Sequence, residues 1–190
     1  MISLKDHSAM FAWLGMVAVA VFSIAWICAA SIETGWHFGV NTLSEFGISD
    51  TAARYYFNYG CMITGILVTI FGAGRTGFSK NLGHAVGGAL LFSGGIALAL
   101  VGVFTMDSSL HGPVAVTMAA FIFGAIIAIT IGNWYANKKI FAGIGIVVIF
   151  CILPMVFVLS VAGLEGYGII LALIFLSAES VNMILSSGKG

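Results

Sequence analysis

The sequence predicts an all-α integral membrane protein, a compact bundle of six transmembrane helices that forms a single domain over residues 1–190. Of its residues, 61% are hydrophobic and only 7% are charged, and the mean hydropathy is +1.13. This composition leaves too little polar surface for a water-soluble globule. Six apolar runs, each close to the roughly 20 residues that a helix needs to cross a bilayer, are separated by short polar breaks.

Each apolar run is assigned as a helix because a spanning segment must satisfy its own backbone hydrogen bonds. The first run is longer than the ~7–15 residues of a signal-peptide core and lacks a clean small-residue cleavage site, which favours a true span. Pro113 opens the fourth run, where a missing N–H does no harm, and Pro154 lies within the fifth. The predicted spans cover residues 10–30, 55–73, 82–104, 113–134, 140–162 and 168–187.

The basic residues predict the orientation of the bundle. If the spans alternate in direction, Arg54 is the one basic residue on its side of the membrane. The positive-inside rule then makes the opposite side cytoplasmic and places both termini on it. The protein is accordingly predicted to be a multi-pass protein of the cell membrane. The basic residues on that predicted cytoplasmic side are Lys5, Arg75, Lys80, Lys138, Lys139 and Lys189.

The first outer loop, residues 31–54, is longer than the other connections and is predicted to be a structured cap. Its Trp36, Phe38 and Phe46 argue against disorder, and aromatic side chains are common at the membrane interface. Thr42 and Glu45 have the Thr-x-x-Glu spacing of a capping box, in which each side chain satisfies a backbone N–H at a helix start.

Polar residues from different outer loops are predicted to meet at one end of the bundle. Asp107 and His111 are four residues apart and share a face if their turn is helical, so with Glu45 they are candidate ligands of a divalent metal at the outer face. Ser44 beside Glu45, with His111 as a distant base, is a candidate nucleophile, although no Gly-x-Ser-x-Gly element accompanies it. The catalytic candidates are therefore Ser44, Glu45, Asp107 and His111, and helix capping is the competing interpretation of the same acids.

Polar residues within the spans predict a second polar region near the cytoplasmic side. Glu179 lies deep in the sixth span, where an ionised carboxylate is costly unless it is paired, so it is predicted to face the bundle. Asn182 follows on the same helix face, and His84 or a basic residue of the inner loops is the expected partner. A haem is not expected, because His84 and His111 are predicted to lie about a membrane thickness apart, roughly 30 Å.

Several short motifs resemble a prokaryotic six-helix membrane family, domain of unknown function 998. More distantly, the Ser-acid-x-Gly element and the Phe-to-His element are similar to those of the eukaryotic damage-regulated autophagy modulator family. That resemblance implies a link to membrane lipids, although the Pro-Glu pair common after the Ser-Asp element of that family is missing here. The residues concerned are Asn41-Thr42-Leu43-Ser44-Glu45-Phe46-Gly47, Phe57-Asn58, Gly102-Val103-Phe104, Asp107, Leu110-His111 and Phe121.

Three functions are compatible with these patterns. The first is a protein that binds or modifies a membrane lipid at the outer polar site, and the second is a non-catalytic scaffold or complex subunit. The third is a small transporter that uses Glu179. Membrane lipids are the expected partners, and the net charge of zero gives no reason to expect nucleic acid. The 25 glycines, among them Gly83, Gly87, Gly143 and Gly145, predict close helix packing within the bundle or in a homo-oligomer.

Overall fold

A computed structural model describes residues 4–187 of the chain and confirms the all-helical class. Lys189, one of the residues used to predict the orientation, lies outside that range. The described part contains six long helices and one short 3₁₀ helix, Leu43–Ile48, which we call the lid helix. The six are α1 (Leu4–Ile32), α2 (Ala53–Gly77), α3 (Leu82–Val103), α4 (His111–Tyr135), α5 (Lys139–Val158) and α6 (Val161–Ser187).

The six helices pack as a closed ring in which each helix contacts the next along the chain and α6 returns to α1. All six are long and apolar enough to cross a membrane. Their large apolar side chains point both into the bundle and outward, as expected for helices surrounded by lipid. The main core cluster includes Phe71, Leu91, Ile126, Ile129, Val148 and Phe175.

Glycine pairs bring α2 and α3 into close backbone contact. A Cβ added to Gly72 would lie 2.7 Å from the carbonyl oxygen of Gly88, and one added to Gly95 would lie 2.7 Å from that of Gly65. Only hydrogen in place of the side chain permits such an approach, which is how small residues strengthen helix packing in membranes. Gly143, also predicted to pack closely, has no neighbouring atom within 4 Å.

Each predicted span falls on one of the six helices, but several boundaries differ, most of all the start of α6, which lies at Val161 and not at Gly168. The fifth span was predicted to end at Ala162, but α5 continues through Pro154 and ends at Val158. Ser160 then accepts a hydrogen bond from the backbone N–H of Gly163 at 3.2 Å and caps the start of α6. Because the apolar residues on both sides of Ser160 form one uninterrupted run, hydropathy did not reveal the break.

Candidate functional site

The segment between α1 and α2, residues 33–52, is an ordered lid over one end of the bundle, which we call the lid end. Trp36 packs against the buried ring of Phe46, with the ring centroids 4.7 Å apart and the planes tilted by 36°, and its indole N–H donates to the carbonyl of Thr42 at 2.8 Å. Phe38 packs edge-on against Tyr167 of α6 at 5.0 Å. These contacts fix the lid to the helices below it and confirm the predicted structured loop.

The acids of the lid are held by hydrogen bonds from the lid itself. Glu45 accepts from the Thr42 backbone N–H at 2.8 Å and from the Asn41 amide at 2.8 Å, so the predicted capping box is confirmed. Burial raises the pKa of Glu45, but the bonds from Thr42 and Asn41 outweigh it and leave the pKa below its ordinary value of 4.5. Glu33 similarly accepts from Ser49 and Thr51.

Ser44, a predicted nucleophile, is buried and donates to a carboxylate that was predicted to lie in a loop. Its hydroxyl is 2.9 Å from Glu165 Oε1, and its backbone N–H is 3.2 Å from the same atom. Glu165 lies in α6 because that helix starts earlier than predicted. Among the described residues, neither Glu45 nor His111 hydrogen-bonds the Ser44 hydroxyl, so the predicted nucleophile and base are not assembled.

Asp107 and His111 do not share a helical face, because α4 begins only at His111. Asp107 accepts a hydrogen bond from Thr105, and His111 Nδ1 lies 2.7 Å from the carbonyl oxygen of Phe104. Among the side chains of residues 7–187, no three His, Cys, Asp or Glu are placed to hold one metal ion. The described residues therefore do not bring Glu45, Asp107 and His111 together as one group of ligands, and the predicted metal site stays a prediction.

An open cleft of about 560 Å³ lies at the lid end, between the lid and the ends of α2 and α3. Arg54 and Asp107 give it one positive and one negative side chain, and both are exposed. Asn58 donates to the carbonyl of Gly47 at 3.0 Å, while its buried Oδ1 has no hydrogen-bond partner. The remaining lining residues are Gly47, Ile48, Tyr55, Tyr59, Met62, Gly102 and Thr105.

A second polar group lies inside the bundle near the opposite end, the basic end, where the connections carry Lys80, Lys138 and Lys139. Glu179 is 1% exposed, and the guanidinium of Arg75 lies 2.5 Å from its Oε1. The prediction that Glu179 faces the bundle is confirmed, and a basic residue that had been assigned to an inner loop is its partner. The apolar run ends at residue 73, so the sequence placed Arg75 outside the span. The helix itself continues to Gly77 and includes Arg75.

Two buried amides extend this group, which we call the inner network, to the neighbouring helices. Asn133 of α4 donates to Glu179 Oε2 at 2.9 Å, and Asn182 donates to Asn133 Oδ1, also at 2.9 Å. The same Oδ1 lies 3.0 Å from His84 Nε2, which must therefore be the donor of that bond. The inner network thus joins α2, α3, α4 and α6. His84 belongs to this network, whereas His111, the other histidine considered for haem, lies at the lid end.

Arg54, Asn58 and Asn133 are polar residues of these sites that the sequence analysis did not propose as site residues. Asn133 lies at the end of an apolar run, where a single amide raises no signal in hydropathy. Arg54 was used only as the exception in the count of basic residues. A search for every strongly polar side chain within four residues of a predicted span end would have found all three.

The fold and these two polar sites define the class of protein: a polytopic helical membrane protein with an ordered lid at one end and a buried ion pair near the other. The family described as protein of unknown function (DUF998) matches residues 16–182, and the chain belongs to that family. No curated protein and no solved structure matches the chain. The more distant similarity to the autophagy modulator family stays a prediction.

Proposed function

We propose that this protein binds a membrane phospholipid, with the headgroup held in the cleft at the lid end. The observation that carries the proposal is the amphipathic lining of the cleft. Its polar end carries Arg54, Asp107 and Thr105, and its apolar side carries Tyr59 and Met62. A phospholipid has the same sequence of polar and apolar parts.

The depth of the cleft supports a lipid as the occupant. Met62 is nine residues into α2, which corresponds to about 13 Å along the helix axis. That distance exceeds the headgroup layer, which is roughly 5–8 Å thick on each side of the bilayer. Tyr55 and Tyr59 are both about half exposed and stack at 6.4 Å, in the position where tyrosine is typical of membrane interfaces.

Arg54 is the residue expected to bind the phosphate. Its Nη2 donates to the hydroxyl of Tyr55 at 2.8 Å, and its guanidinium lies over the Tyr55 ring at 4.8 Å from the centroid. These two contacts hold the side chain in place while leaving other N–H groups to donate. A guanidinium with several donors matches phosphate oxygens well.

The alternative function is a non-catalytic scaffold or complex subunit, alone or as a homo-oligomer. The observation that favours it is the internal pairing of Glu33 and Glu45, which leaves these acids bonded to their own lid. Transport through Glu179 is less supported, because its carboxylate is already bonded to Arg75 and Asn133. Any cargo would first have to displace those partners.

The test is native mass spectrometry of protein released from nanodiscs that contain equal amounts of phosphatidylethanolamine, phosphatidylcholine and phosphatidylglycerol. We expect the unmodified chain to retain one phospholipid. Arg54→Gln should lower the retained fraction roughly tenfold, because a hydrogen bond to a charged group contributes about 1.5–3 kcal/mol. Tyr59→Ala should lower it as well, because it removes one wall of the cleft.

Tyr56→Ala is the matched control, since Tyr56 is 48% exposed on the same turn of α2 but does not line the cleft. It should retain as much lipid as the unmodified chain. If no lipid is retained, or if all three variants retain equal amounts, the lipid proposal is wrong and the scaffold alternative is favoured.

A further inference from the structure

We infer that the cleft at the lid end selects a phospholipid whose headgroup ends in a primary ammonium, as in phosphatidylethanolamine. This inference rests on the proposed function, because it names the headgroup that the same cleft would bind. It depends on two features of the lining: two separate opposite charges, one of which accepts hydrogen bonds, and an aromatic ring face that is already occupied.

The two charges of the cleft are not paired with each other. Among the described side chains, residues 7–187, the salt bridge that the structure contains joins Arg75 and Glu179, far from the lid. Arg54 and Asp107 line the same cleft, and each is free to meet an opposite charge on a ligand. A headgroup with a phosphate and an ammonium satisfies both, whereas a headgroup with only a phosphate leaves Asp107 facing a like charge.

Hydrogen-bond acceptors favour an ammonium that carries N–H groups. Asp107 presents carboxylate oxygens to the cleft, and a carboxylate only accepts hydrogen bonds. A primary ammonium has three donors, whereas a trimethylammonium has none.

The aromatic side chains do not compensate for a missing donor. Quaternary ammonium groups are usually bound over exposed aromatic faces. Here the Arg54 guanidinium lies over the Tyr55 ring, 4.8 Å from its centroid. The Tyr55 ring also stacks with the ring of Tyr59, at an interplanar angle of 17°. The cleft therefore lacks the open aromatic cage that would favour choline over ethanolamine.

The experiment measures which lipid the protein keeps from an equal mixture of phosphatidylethanolamine, phosphatidylcholine and phosphatidylglycerol with the same acyl chains. Native mass spectrometry should show phosphatidylethanolamine retained roughly tenfold over phosphatidylcholine, the ratio that one good charged hydrogen bond supplies. Asp107→Asn should bring that ratio close to one. Arg54→Gln should lower retention of all three lipids, because each carries a phosphate.

Asp50→Asn is the matched control, because Asp50 is an exposed acid of the same lid that does not line the cleft. Because the charge of Asp50 acts on Arg54, its removal should change the retention of all three lipids alike and leave the ratio unchanged. An effect on the ratio as large as that of Asp107→Asn would overturn the contact role of Asp107. Both acids are exposed, so these substitutions remove no core packing. Soluble phosphoethanolamine at the lipid's own concentration should not displace it, and displacement would exclude the lipid as the source of the headgroup.

The two proposals fail in different ways. If Arg54→Gln and Tyr59→Ala reduce retention but the unmodified chain keeps ethanolamine and choline lipids equally, the headgroup inference is wrong and the cleft remains a lipid site. If no cleft variant changes retention of any lipid, the proposed function itself is wrong.

Discussion

The carboxylate of Glu179 receives hydrogen bonds or an ion pair from three side chains on three helices, and all four residues are at least nine-tenths buried. A buried charge whose partner is removed is strongly destabilising, whereas removing both charges is often tolerated. The sequence showed that Glu179 must face the bundle, because a carboxylate in lipid is costly. It did not identify Asn133, because an amide within an apolar run has no period or spacing that marks it.

A double-mutant cycle on this pair distinguishes a structural tie from two independent polar residues. Arg75→Met leaves Glu179 charged and unpaired, and Glu179→Gln leaves Arg75 charged and unpaired. We expect each single variant to lower the free energy of unfolding by about 3 kcal/mol or more. The double variant buries no charge, and its glutamine still accepts from Asn133 and Asn182. It should therefore regain roughly 1–3 kcal/mol relative to the sum of the single losses.

The measurement is reversible unfolding in mixed micelles, followed by tryptophan fluorescence. If the double variant loses as much free energy of unfolding as the two single variants together, the pairing of Arg75 with Glu179 is contradicted. A double variant that folds normally would also test the transport alternative, because cargo binding at Glu179 would then be lost without loss of the fold.

Glu45 gives the lid a pH dependence whose sign follows from its lowered pKa. A carboxyl whose pKa is lower in the folded state contributes stability that is fully present above its unfolded value, near 4.5. That contribution is lost as the pH falls through the lower folded pKa. Because the side chain is only partly buried, we expect less than about 1 kcal/mol.

The melting temperatures of the unmodified chain and of Glu45→Gln, compared between pH 3 and pH 7, measure this contribution. The difference should be largest above pH 5 and should shrink towards pH 3. Asn41→Ala removes one of the hydrogen bonds that lower the pKa, so the same comparison in that background should show a smaller change. A difference that grows on acidification would contradict the assignment.

Asn81 starts α3 and also ties it to α4, which makes it a test of how single elements are fixed. Its Oδ1 accepts from the His84 backbone N–H at 2.9 Å, and its Nδ2 donates to the carbonyl of Gly132 at 2.9 Å. Asn81→Ala removes both bonds and should cost about 1–3 kcal/mol of unfolding free energy. Asn81→Ser keeps a capping oxygen but loses the tie, so it should cost less than Asn81→Ala.

Equilibrium unfolding of both variants separates the two contributions. If Asn81→Ser is as unstable as Asn81→Ala, the cap contributes nothing and the tie to α4 accounts for the whole effect. Hydropathy predicted where α3 begins, and the cap agrees with it. Hydropathy did not predict the break between α5 and α6 at Ser160. The cap there is a single serine between two apolar runs, and one hydroxyl hardly changes the hydropathy of the segment.

The contact of α2 with α3 predicts opposite effects for glycines that look alike in sequence. Gly72→Ala places a Cβ against the backbone of α3 and should destabilise the bundle by about 1–3 kcal/mol, the cost of overpacking. Gly143→Ala is the matched control on α5, where nothing lies within 4 Å. There alanine should stabilise by up to about 1 kcal/mol, because it forms helix better than glycine.

Thermal unfolding of both variants checks the difference in sign. Equal destabilisation would show that Gly143 packs against something other than this chain, such as a second copy in a homo-oligomer. Sequence spacing alone marked Gly143 and Gly145 as equivalent. They differ because Gly145 faces Thr130 of α4, whereas Gly143 lies on another side of the helix.

The lid and the cleft lie at one end of the six-helix bundle, and the basic loops lie at the other end. The orientation of the whole molecule therefore decides which leaflet the cleft can reach. The basic residues predict that the lid end faces outward. The structure sharpens that count, because the charge of Arg75 is used inside the bundle by Glu179. Lys80, Lys138 and Lys139 of the two loops at the basic end, with Lys5 and Lys189 near the termini, are the charges left to orient the protein.

Two single-cysteine variants test this orientation in whole cells. Val40→Cys lies at the tip of the lid, where the side chain is 75% exposed, and Ser79→Cys lies in the loop between α2 and α3. The natural Cys28, Cys61 and Cys151 all lie within helices and are replaced by alanine in both variants. A membrane-impermeant maleimide should label Val40→Cys in intact cells and Ser79→Cys only after permeabilisation. The reverse labelling would place the cleft at the inner leaflet, and its lipid would then come from the cytoplasmic side of the membrane.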